Sequence, residues 1–245
     1  MNISFSVIIV TYNRNKLLER SLKSVLKQSL QPKEIIVVNN YHKPLKNKFK
    51  SRKIKIIECT KNFDSANGRN IGSIVASSKY LAFLDDDDYW HKDYLKISKK
   101  YIYGKFPDIL IANKIYFDDG KYKIFKKINK INLYDCFAKN PGIIGSNIII
   151  KKKTLYKLNG FDQNLIPSED KSLIIDAHLS KKKIMIQNNY ILYKNNNKNK
   201  LSNDYIKLQN GKINFVKKYS KYMNLKTKFN IYKNILIYKL KLILS

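Results

Sequence analysis

Cysteine is almost missing from this chain. Cys59 and Cys136 fit no metal-ligand spacing, and two such thiols suggest unpaired small hydrophobes in a reducing compartment. Long apolar runs are missing too: no stretch of about 18 uncharged apolar residues occurs, which argues against a transmembrane helix. The opening MNISFSVIIVTYNR lacks the basic segment and small-residue cleavage site of a signal peptide. Arginine is confined to Arg14, Arg20, Arg52 and Arg69. The guanidinium forks and recognisable modules of a nucleic-acid reader are therefore absent, despite a formal charge of +31. No glycine-lysine loop of the Walker type is present to hold a triphosphate, which argues against a P-loop NTPase. Acid is scarce relative to base: 18 Asp+Glu stand against 49 Lys+Arg.

What is there suits one folded core. The 245 residues are 44% hydrophobic and 12% aromatic, enough to bury a sizeable interior. Lys, Asn, Ile and Tyr are abundant together, which points to a biased genome more than to a phosphate groove. The charge is uneven, however. Residues 181–245 contain sixteen Lys and one acid, Asp204. That segment is a candidate for contact with anionic lipid or a polyanionic acceptor, and also a candidate dimer surface.

FSVIIVT (5–11), EIIVVNN (34–40), KIKIIECT (53–60) and YLAFLD (80–85) read as four strands, the second and third as buried as the first. NKLLERSLKSVLKQ (15–28) between the first two reads as a helix. NGRNIGSIVASS (67–78) reads as another, with Ile71, Ile74 and Val75 on one face. The alternation implies a parallel α/β sheet. Beyond residue 90 the spacing predicts a helix over HKDYLKISKKYIY and strands at DILIANKIYF and KYKIFKKI joined by a turn at 118–120. SNIIIKK (146–152) reads as a strand and SEDKSLIIDAHLS (168–180) as a short helix with Ser168 at its N-cap. KIMIQNNYILYK (183–194) reads as a strand, and 195–200 as a polar loop. In the tail, NIYKNILIYKLKLILS, the lysines fall on several sides at about 100° per residue, a poor membrane-surface amphipath on that test.

Four consecutive aspartates, Asp85 to Asp88, follow the fourth strand directly. A solvated acidic loop is the plain alternative, but the cluster abuts a buried strand and the chain is otherwise poor in acid. Packed carboxylates repel unless a cation neutralises them, and a hard ion such as Mn²⁺ or Mg²⁺ takes oxygen ligands together with substrate phosphates. Ligands of open α/β sheets bind beyond the carboxyl ends of strands, where TYNR, NN and DDDD all fall.

SVIIVTYNR, EIIVVNN, NFDSANGRNIG, YLAFLDDDDYWHKDYL and GFDQNLIPSED, in that order, resemble the glycosyltransferase family 2 pattern. The first four blocks span residues 6–95 and the fifth carries the likeness to about residue 180. The blocks are loose singly and specific as an ordered set. The resemblance implies a GT-A fold: a Rossmann-like, mostly parallel sheet flanked by helices, with a mixed acceptor-side half. It implies residues 1–195 as the transferase domain, with 1–95 binding the nucleotide sugar and 96–195 the acceptor side, and 196–245 as a basic, mainly helical extension. It also implies inverting transfer from a nucleotide-diphosphate sugar to a glycan or glycolipid, in the cytoplasm or peripherally on the inner face of its membrane.

Residue by residue, the resemblance assigns Thr11, Tyr12 and Arg14 to nucleotide contact. Asp87 and Asp85 would hold Mn²⁺ or Mg²⁺, with Asp85 or Asp86 on the ribose or sugar and Asp88 capping the helix beyond Trp90. Arg69 and Asn70 would face the donor. Asp170 would be the general base, with Glu169 as the fallback or an acceptor ligand; helix-dipole placement alone also accounts for acids there. Tyr12 is equally well an ordinary loop aromatic, and His91 and His178 read as surface or packed histidines. The pattern departs at Asn39-Asn40, where relatives carry Asp, which leaves the donor base less defined than the donor class. Asp64 replaces a usual Gly, and the helix after SED lacks the usual aromatic and Arg ending. Two other classes compete. A sugar nucleotidyltransferase would want glycine in TYNRNKLL, and a non-catalytic basic binding module would not need the acidic elements.

Overall fold

The structure, a computed structural model, describes residues 3–45, 49, 51–117, 123–128, 130–194 and 205–243. The β-branched run of β1 (Phe5–Thr11) is buried along its length and pairs in parallel with β2 (Glu34–Asn39) and β4 (Tyr80–Asp85). Strand β3 (Ile54–Glu58) pairs in parallel with β2. The remaining strands are β5 (Asp88–Trp90), β6 (Ile109–Phe117), β7 (Lys123–Lys127), β8 (Ile148–Lys151) and β9 (Ile184–Lys194). They complete one sheet of order β3-β2-β1-β4-β8-β6-β9-β5, with β7 on β6. The β3-β2-β1-β4 half is wholly parallel. Antiparallel pairs enter at β4–β8, β6–β8, β6–β7 and β5–β9. This is the mixed half of the sheet expected of the GT-A architecture.

Side chains alternate across β1 as a strand requires. Val7 and Ile9 join a core under α1 (Asn15–Leu26) and α3 (Tyr94–Ile102), with Leu18, Leu22 and Leu95. Ile8 and Phe83 face the other layer, with Leu173 and Ile174 of α6 (Glu169–Leu179) and Phe215 of α7 (Tyr205–Tyr219). Short α4 (Leu133–Ala138) and α5 (Lys152–Lys157), and the terminal α8 (Leu225–Ile243), complete the helices described.

Three expectations need correction. Strand β3 is an edge with half-exposed side chains, not a buried strand, because among the described residues only β2 pairs with it. Helix α2 (Ser65–Val75) turns Ile74 and Val75 outward, at 66% and 46% exposure. Its small face is buried instead: a Cβ at Gly72 would come within 2.6 Å of Ile8, so the helix lies closer to the sheet than a branched residue permits. Asp88 does not cap α3, whose N-terminal flank is Asp93. The turn at 118–120 and the loop at 195–200 lie outside the described residues.

Candidate active site

Strands β1 and β4 run in parallel and stop side by side, so Thr11 meets the aspartates that follow β4. Thr11 donates to Asp86 Oδ2 at 2.7 Å, and Arg14 lies 3.4 Å from Asp86 and 3.5 Å from Asp87. Helix α1 grips the loop by its backbone. Ser21 Oγ lies 2.7 Å from the Asp86 carbonyl and 2.5 Å from that of Asp88, while Arg20 donates to the Asp87 carbonyl at 2.6 Å. Burial and the neighbouring carboxylates of Asp87 and Asp85 push Asp86 up to about 6, against the pull of Thr11 and Arg14.

Asp88 is fully buried and accepts from Ser146 Oγ at 2.6 Å. The same hydroxyl accepts the Asp85 N–H at 3.0 Å, and the Ser146 carbonyl accepts from Trp90 Nε1 at 3.0 Å. Ser146 therefore ties both ends of the aspartate loop to the turn before β8. One carboxylate oxygen each from Asp85, Asp87 and Asp88 gathers within 4.8 Å. Three hard oxygen donors at that spacing fit a Mn²⁺ or Mg²⁺ ion. Asp85 and Asp87 are the two expected from the sequence, and the fold places the Asp88 carboxylate beside them. Asp86 turns instead to Thr11 and Arg14.

The acidic pair at the start of α6 faces this loop across Arg69. That guanidinium is buried, 2.8 Å from Asp85, 3.1 Å from Glu169 and 3.0 Å from Asp170, and lies over the Phe161 ring at 5.3 Å. Burial opposes its charge, but the carboxylates of Asp170, Asp85 and Glu169 hold it firmly protonated. Glu169 also accepts from Ser65 Oγ at 2.9 Å. Asp170 Oδ2 accepts the Gly145 N–H at 2.8 Å. Burial first, then the charges of Glu169 and Asp85, push Asp170 up to about 7 in spite of Arg69. A carboxyl poised there is suited to taking a proton near neutrality.

The other expected residues divide. Tyr12 is 47% exposed at the rim, edge-on to Tyr41 with ring centroids 5.2 Å apart. Asn39 donates to Glu58 at 2.5 Å and to the Lys43 carbonyl at 2.8 Å, and Asn40 donates to the Asp64 carbonyl at 2.8 Å. Both asparagines are buried and shape the loops beside the cleft. Asn70 gives both ends of its amide to the Phe161 backbone, at 2.9 and 2.8 Å, away from the aspartates. Asp64 caps α2 by accepting the Asn67 N–H at 2.8 Å. His91 lies 3.8 Å from Asp93, and His178 is on the exposed last turn of α6. The sequence reading missed Arg20, Ser21, Gly145 and Ser146. They act through backbone and second-layer contacts, for which no local pattern exists.

A half-parallel sheet ending in a carboxylate loop, with a second acidic pair across one cleft, is the GT-A arrangement of nucleotide-sugar glycosyltransferases. The profile of glycosyl transferase family 2 matches residues 6–159, and the chain belongs to that family. The amylovoran biosynthesis glycosyltransferase AmsB of Erwinia amylovora is 26% identical over 194 residues, covering 72% of this chain and 64% of its own. The UDP-Glc:alpha-D-GlcNAc-diphosphoundecaprenol beta-1,3-glucosyltransferase WfgD of Escherichia coli is 30% identical over 179 residues, 67% of this chain and 66% of its own. Among solved structures, S. aureus TarS 1-349 in complex with UDP-GlcNAc superposes with a TM-score of 0.65 at 20% identity, over 87% of this chain and 67% of that one. That likeness is one of fold. The chain spans 64% of the length of AmsB and 24% of a Rickettsia bellii relative that is 30% identical over 177 residues.

Proposed function

We propose that this protein transfers a sugar, with inversion, from a nucleotide-diphosphate donor, UDP-linked, to a hydroxyl of a bacterial surface glycan or its lipid-linked precursor. The observation that carries the reading is the junction at Arg69, which brings the aspartate loop and the Asp170 pair into one cleft. Asp170 takes the acceptor hydroxyl's proton on its carboxylate. The freed oxygen attacks the anomeric carbon as the bond from that carbon to the diphosphate breaks. Inversion needs only this one displacement and one base. Mn²⁺ or Mg²⁺ held by Asp85, Asp87 and Asp88 would offset the charge that develops on the departing diphosphate. Arg14, beside Asp86 and Asp87, adds positive charge at the same end of the cleft. Thr11, Tyr12, Asn39 and Asn40 line the side where β1 and β2 end, the place for the nucleoside. Glu169, hydrogen-bonded to Ser65 and Arg69, holds the base in register or touches the acceptor.

The names of similar proteins support the reading: WfgD is named for a UDP-Glc donor and an alpha-D-GlcNAc-diphosphoundecaprenol acceptor, and TarS was solved with UDP-GlcNAc. The deciding experiment measures nucleotide release from UDP-, GDP- and dTDP-sugars, with and without Mn²⁺, in the presence of lipid-linked acceptors. Release from a UDP-sugar that requires Mn²⁺ supports the reading. Release from none of the panel overturns it.

A further inference from the structure

Helix α8 carries two apolar stripes on opposite sides. Ile231 and Ile235 pack into the core, and Thr227 is buried beside them. At about 100° per residue, Leu225, Phe229, Tyr232, Leu236 and Leu240 fall on the other side, in one line about 22 Å long. That line is open to solvent, with Leu225 at 84% and Phe229 at 69% exposure. Lys226 and Lys233 border it on one flank, Lys228 and Lys239 on the other, and α8 contains no acid.

We propose that α8 is an interfacial helix that docks the protein on an anionic lipid surface. An apolar stripe bordered by lysines can sink into the boundary between headgroups and acyl chains while the ammonium groups reach the lipid phosphates. No described helix is long and apolar enough to cross a membrane, so the contact is one of lying on it. Charge decides the occupant. A second copy meeting this face would bring lysine rows against lysine rows, whereas an anionic leaflet complements them.

The placement couples docking to the acidic pair. Helix α7 packs along α8, with Tyr205 stacked on Tyr238 at 6.0 Å. At Gly211, α7 presses so close to the segment before α6 that any Cβ would collide with the Ile166 carbonyl. That segment leads directly into Glu169 and Asp170. The helix on the lipid and the acceptor-side wall are thus braced together.

Vesicle binding tests this without turnover, so its outcome is independent of the transferase reading. The full chain should float with vesicles of phosphatidylglycerol and phosphatidylcholine and not with phosphatidylcholine alone. The double variant Phe229→Asp/Leu236→Asp should bind at least about tenfold more weakly, with an unchanged circular-dichroism melt because both side chains are exposed. Each of Lys226→Gln, Lys233→Gln and Lys239→Gln should weaken binding about fivefold. Undiminished flotation of the double variant overturns the proposal. So does absence of binding to the anionic vesicles, or a dimer in sedimentation equilibrium that the double variant dissolves while lipid binding is missing.

Discussion

Asp85 at the end of β4 and Asp170 at the start of α6 contact the same buried guanidinium, that of Arg69, at 2.8 and 3.0 Å. One cation thus links the carboxylate loop to the candidate base and keeps both charged groups in a single cleft.

Arg69→Gln should remove that link and leave three carboxylates facing one another. Loss of one partner from a buried ion pair costs about 3–5 kcal/mol, and this variant belongs in that range at neutral pH. A carboxyl raised in the folded state contributes stability that is complete below its unfolded pKa and is lost as pH rises through its folded pKa. Asp170 already sits at about 7, and without Arg69 it should move higher. The deficit should therefore shrink on acidification to about pH 5 and be greatest above neutrality. Urea unfolding at the two pH values measures it; a deficit independent of pH would contradict the ion-pair account.

Asp170→Asn should lower turnover by about 10²–10⁴-fold while donor affinity, read by calorimetry, stays put. The amide oxygen can still accept the Gly145 N–H, so the fold should be kept. In the parent enzyme kcat/KM should rise with pH along a limb centred at about 7, as the carboxyl ionises, and the variant should lack that limb. Retained activity would move the base elsewhere, with Glu169 the next to substitute.

Asp87→Asn should weaken Mn²⁺ binding at least about tenfold, followed by electron paramagnetic resonance of the free ion. Its partner Arg14 is 36% exposed, and the adjacent carboxylates repel Asp87, so stability should change by no more than about 1 kcal/mol. Transfer should fall with the metal. An unaltered Mn²⁺ titration would take the ion off Asp87.

Ser146→Ala removes the hydroxyl shared by the Asp85 N–H and the Asp88 carboxylate. Leaving buried polar partners unmet costs about 1–3 kcal/mol, so the variant should melt earlier than the parent. Since the same hydroxyl holds the Asp88 carboxylate and the backbone of Asp85, Mn²⁺ affinity should drop about 10–100-fold as well. A melt and a metal titration both equal to the parent's would rule out this positioning role.

Much of the parallel half was legible because burial on both faces leaves uninterrupted apolar runs, and β1, β2 and β4 are such runs. Edge position leaves no such mark, and β3 read like its buried neighbours. In α2 the branched residues drew attention, yet its packing face is the small one, since close approach to Ile8 favours Gly72. Within the candidate site, the four aspartates stood out as charges in an acid-poor chain, whereas the Glu169–Asp170 pair was marked only by the resemblance to family 2. Their supports, Ser21 and Ser146, are ordinary serines until the fold puts them under a loop. The tail helix is a different case. Two apolar stripes on opposite sides of α8 cancel in any test of one-sidedness, so only packing distinguishes the buried stripe from the exposed one.

By itself the sequence determined the alternation of strands and helices, the convergence of polar segments at strand ends and the chemical type of the groups gathered there. Those properties are local: they follow from hydrophobic period and side-chain charge. Tertiary structure alone decided which carboxylates gather at the end of β4, that Asp88 turns inward to Ser146, and that Arg69 is buried between two acidic elements. These are contacts between segments far apart in the chain, and they form only when the sheet and its flanking helices close on one another.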